Sequence, residues 1–270
     1  MVSKTFIKHK YPQGTIKTEE EIELIKESCR IVAETLVLLK DYVKPDETTL
    51  NLDKVAEEYI RSRGGIPAFK GYETGGLVFP NSLCISINDE VIHGIPNNRR
   101  LKVGDLVSID CGVLKNGYYG DSAITYGVGE ISEDDKKLMA VTEKALELGI
   151  EQVKRGNNVY DISRAIQSYV EMNGFSLTRE YCGHGLGKIL HEFPAIPNYV
   201  PPLLHRDNFP NVKLENNMVI AIEPMVHKGR KEIKIASDKW TVLTRDGSKA
   251  AHFEHTVVVN DNKAIILTYR

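Results

Sequence analysis

Two stretches of this 270-residue chain repeat each other at a constant offset of 110 residues, without a gap. Val43 matches Val153, Lys44 matches Lys154, Leu52 matches Ile162, Tyr59 matches Tyr169, Ile60 matches Val170 and Gly64 matches Gly174. Any two amphipathic helices share an apolar pattern, but the common Val-Lys start and Gly stop favour an internal duplication. The period is too long for a solenoid. It implies two halves, each a helix pair followed by strands, related by a pseudo-twofold, with a site at the seam.

Local signals fill in the halves. Residues 1–17 read as an irregular lead-in. Thr18 and Glu21 have capping-box spacing. Ile22, Ile25, Cys29, Val32, Leu36 and Leu39 follow at helical spacing, and Pro45 ends the segment. A second helix runs from about Leu50 to Arg63 and stops at Gly64-Gly65. A strand-rich stretch occupies about 83–128. Ser132 with Asp135 opens a third helix running to about Arg155, and a fourth runs from about Asp161 to Asn173. The remainder reads as strands and loops, with the Pro-rich stretch 193–210 as a surface loop. No Pro- or Ser-rich linker divides the chain, so residues 18–270 read as one domain.

With 41% hydrophobic residues the chain supports a sizeable core. A formal net charge of -2 gives no global pull toward nucleic acid or an anionic membrane. No apolar run approaches a membrane span, and the basic N-terminus lacks the apolar stretch of a secretory signal. Cys29, Cys84, Cys111 and Cys182 are scattered. They read as small buried hydrophobes in a reducing, cytoplasmic protein.

The most informative chemistry lies in Asp105–Thr125. Asn116-Gly117 between two β-rich runs is a strong hairpin signal. A two-residue turn there sets Lys115 opposite Tyr118 and Asp110 opposite Ala123. Asp121 then points to the same face as Asp110, as a diagonal neighbour roughly 7–8 Å away at the backbone. Two ionised carboxylates this close repel unless a cation or a shared proton intervenes. Ordinary hairpin-end carboxylates are the alternative. Against it, Asp110 interrupts an apolar run of Leu106, Val107 and Ile109, where an unpaired charge is costly.

Glu223 ends the run Met218–Ile222 and precedes Pro224, and Glu254 precedes Thr256–Val259. Each alone reads more readily as a strand-end residue facing water; with the hairpin they outline a carboxylate-rich cavity. His184 lies among glycines in Gly183-His184-Gly185, and His93 precedes Gly94. Glycine neighbours let backbone approach a ligand closely. The glycine run lacks the lysine and hydroxyl residue of a P-loop. His191 follows His184 by seven residues. His9, His205, His227, His252 and His255 carry no spacing signal and read as surface or structural. Neither a Gly-x-Ser-x-Gly elbow nor a His-Glu-x-x-His pair is present, so serine-hydrolase and zincin chemistry lack support.

The ordered set Asp110, Asp121, His184, Glu223 and Glu254 resembles the ligand pattern of the pita-bread metallopeptidases. The strings Cys84-Ile85-Ser86-Ile87-Asn88, His93-Gly94-Ile95-Pro96, Ile222-Glu223-Pro224-Met225 and Glu254-His255-Thr256 resemble the type I methionine aminopeptidases in particular. The similarity runs from about Thr18 to Val259. It implies an α+β pita-bread fold, a pseudo-twofold curved antiparallel sheet covered by two helix pairs. It implies two divalent metal ions (Co, Mn, Fe or Zn), with Asp110 and Asp121 on one, Asp121 and Glu254 bridging, and His184 and Glu223 completing the second. In the family a water or hydroxide between the metals attacks the first peptide bond, releasing the initiator methionine from nascent chains with a small second residue. By the same resemblance His93 and His191 contact substrate and stabilise the transition state, and Glu223 transfers protons. Tyr72, Phe79, Cys84 and Trp240 match the methionine pocket, although Trp240 reads equally well as plain core.

Proline-cleaving relatives carry a large extra N-terminal domain, and only 109 residues precede Asp110 here. The second methionine aminopeptidase class carries a helical insert, and only 31 residues separate His191 from Glu223. The type I form without a zinc-binding extension therefore fits best, with a monomer, nascent N-termini as partners and ribosome association as family expectations. The segment Glu73–Val78 is longer than the usual type I loop, which leaves the equivalence of Tyr72 and Phe79 open at this point.

Overall fold

The structure, a computed structural model, describes residues 11–269. The first half begins with α1 (Glu19–Leu39) and α2 (Thr49–Ser62). Strands β1 (Ile66–Pro67), β2 (Glu73–Thr74), β3 (Leu77–Val78), β4 (Leu83–Ile87), β5 (Glu90–Ile92), β6 (Leu106–Lys115) and β7 (Tyr118–Gly127) follow. The second half begins with α3 (Glu133–Glu151) and α4 (Val159–Met172). It continues with β8 (Ser176–Leu177), β9 (Gly183–Gly185), β10 (Glu192–Ile196), β11 (Val219–Ile222), β12 (Met225–His227), β13 (Ile233–Ile235), β14 (Val242–Thr244), β15 (Ala250–His252), β16 (His255–Val258) and β17 (Ile265–Ile266).

The repeat is physical. Helices α2 and α4 have equal length at the 110-residue offset, and so do β1 and β8. Gly64 and Gly174, just beyond the two helices, both hold positive φ (73° and 83°), the left-handed stop that frees the chain to reverse. In the first half β1 pairs with β6, and in the second β8 pairs with β12.

Each helix pair covers its own sheet. Ile31, Leu36, Leu52 and Ile60 pack on Leu83, Ile85, Ile109 and Val113. Leu138, Leu146, Ile162 and Val170 pack on Ile220, Ile222, Val226 and Val257. Both capping signals are realised: Thr18 and Glu21 form a full capping box, and the Ser132 side chain accepts from the Asp135 amide. Two helices end sooner than their patterns imply. Helix α1 passes into a 3₁₀ turn at Lys40–Tyr42, and α3 stops at Glu151. The Pro-rich segment is not wholly a surface loop, because Glu192–Ile196 pairs with β9 and Asn198 is buried.

The β6–β7 hairpin has the expected register, Lys115 opposite Tyr118 and Asp110 opposite Ala123, with no bulge. Asn116 and Gly117 take the positive φ values its turn requires (52° and 81°). A matching ladder crosses the second half. Ile222 faces His255 and Met225 faces His252, so the register sets Glu223 opposite Glu254 in the gap between.

Helix α1 lies directly on β7. A Cβ at Gly120 would meet the backbone of Ser28 and Cys29 at 2.5–2.9 Å, and rigid helix backbone cannot yield. Gly120→Ala is therefore expected to lower stability by about 1–3 kcal/mol, the usual cost of forced overpacking. Thermal or urea unfolding checks this; an unchanged midpoint would contradict the packing described.

Candidate metal centre

The five carboxylate and imidazole candidates converge at the seam between the halves. Asp110 and Asp121 come from the middle of β6 and β7, and His184 from β9. Glu223 and Glu254 occupy the paired gaps in the second ladder. Pro224 has no amide hydrogen, so the chain leaves one sheet after Ile222 and joins another at Met225. Hydrogen bonds across the seam fix this arrangement. Thr256 Oγ1 donates to the Asp121 carbonyl (2.7 Å), Ser122 Oγ to the Glu254 carbonyl, and the Glu254 amide to the Ala123 carbonyl (3.0 Å).

Among the described residues, ligand atoms of Asp121, His184 and Glu254 lie within 4.8 Å of one another. His184 Nε2 is 3.9 Å from Asp121 Oδ2 and 3.8 Å from Glu223 Oε1. Its Nδ1 must donate to the Gly185 carbonyl (2.9 Å), which leaves the Nε2 lone pair aimed at the carboxylates. Burial presses the His184 pKa down to about 3, with His191 beside it adding to the effect, so the ring is neutral and able to ligate.

The carboxylates show the strain of being together. Burial, with the Glu223 charge added, raises Asp110 to about 7, against the opposing pull of His252. Burial and the Asp110 charge push Asp121 well above the usual carboxylate range. Burial alone lifts Glu223 to about 8. Asp110 Oδ1 and Asp121 Oδ1 are buried with no hydrogen-bond partner. Unpartnered buried oxygens are rare and call for a missing cation or proton. Four carboxylates and one neutral imidazole form a hard oxygen-rich set that fits divalent Mn, Fe or Co and admits Zn.

The centre floors a cavity of about 470 Å³. His93 stands in its wall with φ 58°, a strained conformation for a histidine. Its pKa is lowered to about 4, chiefly by burial. His191 lies at the rim, its Nδ1 3.1 Å from the Tyr72 hydroxyl and its ring 4.5 Å from that of His184. The other end of the cavity is apolar, lined by Phe69, Tyr72, Phe79, Cys84, Leu190 and Trp240.

The long segment before this pocket folds as the β2–β3 hairpin, with Glu73 opposite Val78 and Thr74 opposite Leu77. It projects outward from Tyr72 and Phe79, which hydrogen-bond to each other through their backbones at its base. Both Tyr72 and Phe79 line the cavity. Trp240 is a pocket wall and not plain core, stacked edge-on against Phe79 at 5.2 Å. It is placed by Asp238, whose carboxylate accepts from the Trp240 and Thr241 amides.

Some neighbours escaped the sequence reading. His252 is buried, with Nε2 3.6 Å from Glu223 Oε2, so it is structural and part of the centre. Tyr181 and Cys182 also line the cavity, and Cys182 is only partly buried. Cys29, Cys84 and Cys111 are buried as expected. His227 is buried too, whereas His9 and the side chain of His205 lie outside the described residues.

Known proteins are similar to this chain over most of its length. The model of metallopeptidase family M24 matches residues 23–261. The chain is 50% identical over 252 residues to methionine aminopeptidase 1 of Bacillus subtilis, covering 93% of this chain and 98% of that one. It is 43% identical over 259 residues to the methionine aminopeptidase of Escherichia coli, covering 95% and 94%. The crystal structure of methionine aminopeptidase from Thermotoga maritima matches with a TM-score of 0.89 and 41% identity, covering 94% and 99%. The prolidase from Pyrococcus furiosus shares the fold (TM-score 0.75, 23% identity), and this chain spans 66% of it. Pita-bread architecture and full-length similarity together establish that the chain belongs to metallopeptidase family M24.

Proposed function

We propose that the chain is a methionine aminopeptidase that removes the initiator methionine from nascent chains whose second residue is small. One observation carries this reading: an aromatic and sulfur-bearing slot opens directly onto a carboxylate–imidazole cluster. An unbranched thioether suits such a slot, because methionine is flexible and polarisable and favours aromatic edges. Relatives bearing that name match over nearly the whole chain.

Asp110, Asp121, His184, Glu223 and Glu254 would hold two divalent ions. Bound there, such ions polarise the scissile carbonyl and lower the pKa of a water. His93 and His191 are neutral near pH 7, since burial lowers both, and each offers a nitrogen to the substrate as charge develops in the transition state. The Tyr72 hydroxyl occupies His191 Nδ1, which leaves Nε2 for substrate. Glu223, raised toward neutrality by burial, can take a proton and return it to the leaving amine. Four cysteines without a disulfide fit a reducing cytoplasm. Among the described residues no helix is long and apolar enough to cross a membrane. Action as a monomer close to the ribosome completes the proposal.

Steady-state hydrolysis of Met-Ala-Ser and of an Ala-Pro peptide, with divalent metal added, tests the specificity. Met-Ala-Ser should be cleaved and the Ala-Pro peptide spared; the reverse preference would sink this reading. Glu254→Gln should lower kcat/KM by about a hundredfold or more while costing bound metal. Full metal content together with full activity in that variant would contradict the site assignment.

Stability should respond to pH in a defined direction. Carboxylates whose folded pKa exceeds the unfolded value of about 4 bind more protons when folded, so the metal-free protein loses stability as pH rises toward their folded values. The buried histidines have lowered folded pKa values and act oppositely, but only below their unfolded pKa of about 6.5. Between about pH 7 and 8.5 the carboxylates dominate. Tm of the metal-free protein should fall across that window, and the Tm gain on adding metal should grow. Thermal scans showing a flat Tm and a pH-independent gain would contradict the electrostatics.

A further inference from the structure

Lys17 lies just before α1, far in sequence from every residue of the cluster, yet its side chain is only 4% exposed. Its Nζ donates to Glu192 Oε2 at 2.5 Å and to the Gly14 carbonyl. The backbone around it is anchored as well, by Lys17 N to the Asn217 carbonyl and by the bridge of Ile16 to Met218. The lysine therefore approaches Glu192 from a fixed base.

Glu192 immediately follows His191. Its second oxygen, Oε1, accepts the Ile189 amide at 3.1 Å. One carboxylate thus ties Lys17 to the turn 187–191 that delivers His191 to the cavity rim. The turn passes directly over the ion pair. A Cβ at Gly187 would stand 2.5 Å from Lys17 Nζ and 2.8 Å from Glu192 Oε1. On its far side the Gly187 carbonyl accepts the Tyr119 amide at 2.8 Å, so the turn is clamped between β7 and the pair. His191 then reaches Tyr72 and the His184 ring.

A buried lysine–glutamate pair is poor stabilisation. Desolvating both ions offsets most of their attraction, and an apolar pair of similar volume is often as stable. An apolar pair, however, could not accept the Ile189 amide or set the turn. We propose that Lys17 is a positioning residue for the peptidase reaction: through Glu192 it fixes the 187–191 turn and holds the His191 ring in its productive place. This rests on the proposed methionine aminopeptidase activity. It predicts a loss in turnover and not in ground-state binding, because misplacing a group that acts in the transition state lowers kcat.

The test compares Lys17→Met, Lys17→Arg, His191→Ala and the double variant Lys17→Met/His191→Ala, as full-length metal-loaded proteins hydrolysing Met-Ala-Ser. Lys17→Met should lower kcat by about tenfold or more with KM within about twofold. Lys17→Arg should recover most of the loss. In the His191→Ala background the Lys17→Met effect should shrink to within about twofold, since Lys17 acts through that ring. The pair replacement Lys17→Met/Glu192→Leu should restore the melting temperature without restoring kcat, and it carries the test if Lys17→Met alone folds poorly. Unchanged kcat in a folded, metal-loaded Lys17→Met protein, or a full Lys17 effect persisting in His191→Ala, overturns the proposal. Imidazole NMR resonances of His191, identified by their loss in His191→Ala, give a readout independent of turnover. They should shift or broaden in Lys17→Met, and unaltered resonances would also overturn it. Wild-type protein inactive on Met-Ala-Ser would sink the peptidase reading instead, and the resonances would still decide the role of Lys17.

Discussion

Four carboxylates crowded into one cavity, Asp121 and Glu254 buried and Asp110 and Glu223 partly so, repel each other, and the fold is organised around holding them there anyway. Alone, such a group would abandon its charge or the structure its shape. Here Asp110, Asp121 and Glu223 are all pushed toward protonation, the first two leave buried oxygens unpartnered, and the neutral Nε2 of His184 points among them. The arrangement is coherent once cations are added. Without them it is a destabilising cluster that the rest of the protein must restrain.

The restraint comes from the duplication. Each half contributes an antiparallel ladder backed by a helix pair, and the two ladders meet along Asp121–Thr125 and His252–Thr256. One ladder is continuous and sets its two aspartates diagonally. The other is broken by Pro224 and sets its two glutamates face to face. Elements at the sheet edges complete the cavity. The β5–β14 pairing carries His93 and Trp240 to the same cavity, and the β2–β3 hairpin stands on Tyr72 and Phe79.

The sequence was most legible where local rules are strict. Asn116-Gly117 dictated the hairpin register, and with it the shared face of Asp110 and Asp121, because a two-residue turn leaves no freedom. The 110-residue offset is matched in the structure by α2 and α4, which have equal lengths. Helix ends were less legible: Pro45 and Arg155 stood as the stops, whereas the α-helical bonding gives out at Leu39 and Glu151. The union of Glu223, Glu254 and His184 with the hairpin had no local signal and rested on family resemblance. His252 and Lys17 were hidden for a related reason. Their importance depends on contacts across the seam or over 175 positions of sequence, which no spacing rule reports.

The account stands on metal at the seam, and anomalous diffraction reads that directly. A crystal of the metal-stripped protein soaked in Mn²⁺ should show two anomalous peaks inside the cluster. One should touch Asp110 and Asp121, the other His184 and Glu223, with Asp121 and Glu254 shared between them. No peak there at saturating metal, or peaks confined to the protein surface, would contradict the central claim.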